Sequence, residues 1–212
     1  TASFITGSNV WGPNGSNSIL TSSYALTASY ALNAAGGTPG GSNTQIQFNS
    51  GSKFSGSAAF TFNYVSQSLQ QGDSTTATGQ YSHAEGSGTV ATGINSHAEG
   101  SDNQSIGISS HAEGGGSKSS GSYSHAEGEH TVAKGQYSHT EGSFTVASGS
   151  YSHAEGNQTI SSGSYSHAEG EYTLVSGYAS HAEGTYATAS GNYSHAEGNT
   201  TLTIGNYSHA EG

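Results

Sequence analysis

The chain has 212 residues, of which 33 are glycine, none is cysteine or methionine, and only 30% are hydrophobic. Three lysines and no arginine face 14 acidic residues, a formal charge of −11, which excludes nucleic-acid binding and attraction to an anionic membrane, because phosphate contacts need lysine or arginine. Without cysteine there is neither a disulfide nor a thiolate metal site, and no run approaches the roughly 20 apolar residues of a membrane helix. With no methionine at its start, the chain reads as an interior or processed segment.

Residues 1–35 read as an extended segment with a six-residue repeat, Thr21-Ser-Ser-Tyr-Ala-Leu26 followed by Thr27-Ala-Ser-Tyr-Ala-Leu32. A glycine-rich linker follows over 36–43. Residues 44–78 read as a small β-module. Gln45-Ile-Gln-Phe-Asn49 alternates as a strand, Ser50-Gly51 turns, and Ala59-Phe-Thr-Phe-Asn63 alternates again.

From residue 79 to residue 212 one unit recurs. His83, His97, His111, His125, His139, His153, His167, His181, His195 and His209 are spaced by 14 residues without a slip. Two places after each stands a glutamate: Glu85, Glu99, Glu113, Glu127, Glu141, Glu155, Glu169, Glu183, Glu197 and Glu211. Thr140 replaces the central alanine once. Gly149 and Gly156 lie seven apart, as do Gly121 and Gly128, so the unit is two half-turns, G-x-Y-S-H-A-E and G-x-x-T-(V/I/L)-(A/S)-S. Glycine turns a chain through φ > 0 cheaply. The reading is therefore an all-β solenoid of parallel 14-residue coils, each made of two short strands and two glycine corners. Two heptads of a coiled coil would need aliphatic a and d positions and would lose about 2 kcal/mol to the two glycines.

Strand alternation assigns the faces. Ser152 and Ala154 point one way, with Tyr151, His153 and Glu155 opposite them; Thr159 and Ser161 share a face that Ile160 opposes. The small residues point inward, since so short a coil encloses a thin strip. Val90, Val132, Val146, Ile160, Leu174 and Leu202 then form an outward apolar ladder that needs a cover, and identical neighbouring chains are the simplest one.

This unit, with its G-x-x-S-x-A-x-G core, resembles the left-handed parallel β-roll of trimeric autotransporter adhesin heads of the YadA type. Those heads carry two aliphatic residues flanking the alanine, where this chain has His153 and Glu155. S-H-A-E-G arrays, and the stretch from Gly41 through Phe54 and Gly56, also resemble parts of bacteriophage tail fibres and tail spikes. The resemblance implies a homotrimeric, extracellular fibre on a virion tail or, in the alternative, on a bacterial surface. Its partners would be copies of itself, other virion tail proteins and a host polysaccharide or protein. No enzyme activity and no cofactor are expected. A polysaccharide-degrading spike would carry its catalytic groups elsewhere.

By position, the ten histidines and ten glutamates are expected at subunit contacts, as a hydrogen-bonded ladder whose glutamates raise the histidine pKa values. His153, Glu155 and their equivalents are also the candidate metal ligands, although none is required. Ser152 and His153 adjoin on a strand and so face apart, which excludes a hydrolytic triad. His130, Phe144, Tyr172 and Tyr186, at the corner after S-H-A-E-G, are candidate glycan contacts.

Overall fold

The structure, a computed structural model, describes residues 42–50 and 53–212; the six-residue repeat and most of the linker lie outside them. The chain divides into two units, 1–42 with 47–56 and 43–46 with 57–212. In the first, residues 47–50 and 53–56 are strand. The first two strands carry residues of both units, and the rest of this description concerns the second.

Strands β1 (Gln45–Ser50) and β2 (Lys53–Asn63) precede β3 (Ser68–Asp73). β2 and β3 pair antiparallel from Phe60↔Gln71 to Asn63↔Ser68. Asn63 closes that hairpin, its Oδ1 accepting the N–H groups of Val65 at 2.9 Å and Ser66 at 3.3 Å. Beyond β3 all pairing is parallel. β3 pairs with β5 (His83–Ser87) through Leu69↔His83, and β4 (Thr76–Ala77) pairs with β6 (Val90–Ala91) through Thr76↔Val90. Residues 68–77 therefore form a coil before the first S-H-A-E-G, inside the stretch that the sequence reading gave to the β-module.

The pattern then repeats in strict register, His to His in one sheet and mostly Val, Ile or Leu in the other, with Gln104, Lys118 and Thr188 at three coils, ending at His209–Glu211 and Leu202–Thr203. The two sheets have 13 and 10 strands, and the described residues contain no helix. The all-β solenoid expected from the 14-residue period is the observed fold.

Between the sheets lies a thin core of small side chains. Ala154, Thr159 and Ser161 are fully buried and Ser152 nearly so, as alternation requires. Its hydroxyls are used internally. Ser152 Oγ donates to the Gly149 carbonyl at 2.6 Å, Thr159 Oγ1 to the Glu155 carbonyl at 3.1 Å, and Ser161 and Ser166 share a bond of 2.6 Å. Four threonines are exceptions: Thr140, Thr145, Thr173 and Thr201 are buried and their hydroxyls have no partner.

The glycines work differently from expectation. Gly156 has φ +102°, but Gly149 is outside the left-handed region, and the left-handed residue of its corner is Tyr151, at φ 59°. What demands glycine at 149 is proximity. A Cβ there would stand 2.0 Å from the Gly163 carbonyl oxygen of the next coil. The corners are thus where successive coils come closest, and a column of glycines allows the approach.

Candidate functional site

Strict register stacks every fixed side chain on its own kind. The ten imidazoles form one continuous column, with successive ring centroids 4.7–4.9 Å apart and planes within 8° of parallel. That distance is the strand spacing itself. Beside it run the glutamates, which line an open groove whose floor is the glycine column from Gly114 to Gly170 and on to Gly212.

The two columns interleave. His125 Nε2 lies 3.3 Å from Glu113 Oε1 in the preceding coil and 3.9 Å from Glu127 Oε2 in its own. His195 is placed likewise, 3.9 Å from Glu183 and 3.7 Å from Glu197. Only His111 and Glu99, at 3.1 Å, make a well-formed hydrogen bond; the other pairs stand at 3.3–4.0 Å. On eight of the ten histidines, Nε2 is shielded from solvent and has no hydrogen-bond partner. The structure thus brings together all the expected ladder residues, but it hydrogen-bonds one rung.

The electrostatics follow from this crowding. Burial, then the charges of His167 and His139, lowers the His153 pKa to about 4, with a smaller opposing effect from Glu141. Burial and neighbouring histidines also lower His97, His125 and His181. The expected upward shift is therefore reversed at these positions, because desolvation and like charge outweigh the opposing pull of the neighbouring glutamates. Along the groove, hydrogen bonding with Glu113 and Glu141 pushes Glu127 up to about 7, and hydrogen bonding with Glu141 pushes Glu155 up to about 7. Their partners Glu113 and Glu141 are lowered.

Ser152 lies inside and His153 outside, as alternation requires, so no nucleophile–base pair forms. Tyr123, Tyr137, Tyr151 and Tyr165 stack at 4.8–5.0 Å along the first corner, all exposed and all left-handed. At the second corner His130 stacks on Phe144 at 5.2 Å and Tyr172 on Tyr186 at 4.8 Å. These are the four candidate glycan contacts; all are left-handed, with Phe144 52% exposed. On the second sheet Val132, Val146, Ile160 and Leu174 stand in continuous register, while Gln104 and Lys118 separate them from Val90.

Fold and surface together define a repetitive, structural β-solenoid, with no catalytic constellation among the described residues. Residues 71–96, 126–152 and 168–194 match the family model described as the YadA head domain repeat. Over these residues the chain is similar to YadA head repeats, and its fold there is an adhesin-like β-roll. Comparison with curated proteins gives no match.

Proposed function

We propose that the chain is a rigid, non-catalytic segment of an extracellular homotrimeric fibre, belonging to a bacteriophage tail and holding or contacting the host surface. The observation that carries the reading is the unbroken in-register column from His83 to His209, which at about 4.8 Å per coil amounts to roughly 50 Å of stiff rod. Trimerisation would cover the Val132–Leu174 ladder, where Ile160 and Leu174 are exposed, together with the histidine–glutamate face. Both are long stripes that a lone chain leaves open. The corner aromatics His130, Phe144, Tyr172 and Tyr186 offer contacts for a host glycan. The match to YadA head repeats favours a second reading of the same physical kind, the head of a bacterial trimeric autotransporter adhesin.

Light scattering at micromolar concentration tests assembly, with three chains expected and a stable folded monomer refuting it. Binding of the trimer to surface polysaccharides tests adhesion. Loss of binding in Phe144→Ala with Tyr186→Ala is expected, and unchanged binding would remove the corners from the proposal.

A further inference from the structure

The eight shielded Nε2 atoms are the least explained feature of the molecule. A buried nitrogen without a partner carries the full desolvation penalty, and here the penalty recurs coil after coil. The same face holds groups in which two histidines of adjacent coils and one glutamate bring their donor atoms within 4.8 Å of one another. We propose that these groups bind divalent transition-metal ions of the zinc type, each ion held by two imidazole nitrogens and one carboxylate.

The groups are His97–Glu99–His111, His125–Glu127–His139, His153–Glu155–His167 and His195–Glu197–His209. A fifth, His167–Glu169–His181, shares His167 with the third, so four can be filled at once. They lie two or three coils apart, about 10–14 Å, which keeps neighbouring ions from crowding one another. All donors come from one chain, so the site does not depend on trimerisation.

Donor chemistry selects the ion. Imidazole with carboxylate suits zinc, copper or nickel, whereas magnesium and calcium take oxygen ligands. Zn–N and Zn–O bonds of about 2.0–2.2 Å place tetrahedral donors about 3.3 Å apart. His111 and Glu99 already stand at 3.1 Å. The remaining glutamates, about one-third exposed beside an open groove, have room to close on the ion. Adjacent imidazoles tilt out of parallel to share it, and a fourth position faces the groove, where water can complete the shell. The acidic groove supplies compensating charge.

The test uses the folded chain, stripped with chelator and titrated with Zn2+ and, in parallel, with Co2+. Expected are about four tightly bound equivalents per chain, a rise in melting temperature, and visible Co2+ bands of a low-symmetry nitrogen–oxygen site. Glu127→Gln should remove one equivalent and leave about three. Glu129→Gln, outside the groups, should leave four. Equal uptake by the urea-unfolded chain, which keeps all its histidines, would overturn the proposal. So would four equivalents retained in Glu127→Gln, or Co2+ that stays octahedral as in water. Because each variant alters a single coil, far-UV dichroism shows whether the solenoid persists. If Glu127→Gln unfolds, His139→Gln removes the same group from the opposite side and must also lose one equivalent.

Discussion

Two glycines one half-turn apart give a matched test of how the coils are held together. A Cβ on Gly121 would stand 2.0 Å from the Gly135 carbonyl oxygen, whereas a Cβ on Gly115 would meet nothing within 4 Å, and neither residue is in the left-handed region. Side-chain carbons essentially never come within 3.0 Å of such an atom, so Gly121→Ala must separate two backbones by about 1 Å. The bonds that span this corner are Ser120 N–H to the Ala133 carbonyl at 2.8 Å, Gly121 N–H to the same carbonyl at 3.3 Å, and Tyr137 N–H to the Ser122 carbonyl at 3.0 Å. Separation on that scale breaks at least two of them. With roughly 1 kcal/mol net for each and 1–3 kcal/mol for a buried group left unpaired, the loss is about 3–5 kcal/mol. Gly115→Ala should instead be neutral or stabilising by up to about 1 kcal/mol, through reduced freedom of the unfolded chain. Urea titrations followed by far-UV dichroism measure both. Equal midpoints for the two variants would refute the assignment of the glycine column to coil-to-coil proximity.

Three further outcomes follow from the same geometry. The lowered pKa values of His97, His125, His153 and His181 mean that, below pH 6.5, the unfolded chain binds more protons, down to about pH 4 for His153. Their contribution is full above pH 6.5 and is lost as pH falls; Glu127 and Glu155, raised to about 7, and the raised Glu99 act oppositely, while the lowered Glu113 and Glu141 come into play only below the ordinary carboxylate pKa. With the raised carboxylates silenced by Glu99→Gln, Glu127→Gln and Glu155→Gln, the melting temperature of chelator-treated protein should be lower at pH 5 than at pH 8, with His153→Gln narrowing the gap, and a higher value at pH 5 would refute the lowered histidine pKa values. Thr140→Val keeps the shape of a fully buried side chain while removing its unpartnered hydroxyl, so it should stabilise by about 1 kcal/mol, and a lower urea midpoint would reveal a bond to that hydroxyl. Ala179, at φ 48°, occupies a region that costs an L-residue about 1 kcal/mol or more; Ala179→Gly should gain about 0.5–1 kcal/mol in the same assay, and any loss would count against strain there.

The coil was legible because it is written many times over. An invariant step of 14 residues fixes the register, and Ser152, Ala154, Thr159 and Ser161 are too small for any use but a thin interior. The corners were less legible, because the distance between successive backbones is a property of the stacked structure and not of one unit. Gly149 therefore read as a turn residue when it is a clearance residue. The left-handed tyrosines were missed because nothing in a phenol favours that conformation. The signal lay in the exceptions: Asn95 and Asp102, types that tolerate φ > 0, and Gly88 and Gly116 occupy corner positions where other coils place larger residues. The histidines stand on the outer face, opposite Ser152 and Ala154, as alternation required, but the pKa shifts run opposite to the expected ones. Sequence spacing shows a glutamate two residues away, and only the stacked column shows the histidines above and below, about 4.8 Å off, and the burial they impose.

Exact vertical pairing also governs how such a chain can change its length. Each coil touches only the coil above and the coil below, so removing 14 residues anywhere in the array rejoins histidine to histidine and glycine to glycine. Removing 13 or 15 would bring each histidine opposite a residue of the other face and set side chains where the glycine column leaves no space. Duplications and deletions are thus tolerated only in whole units, and the reach of the rod changes in steps of about 4.8 Å, like a ruler that can be cut only at its marks.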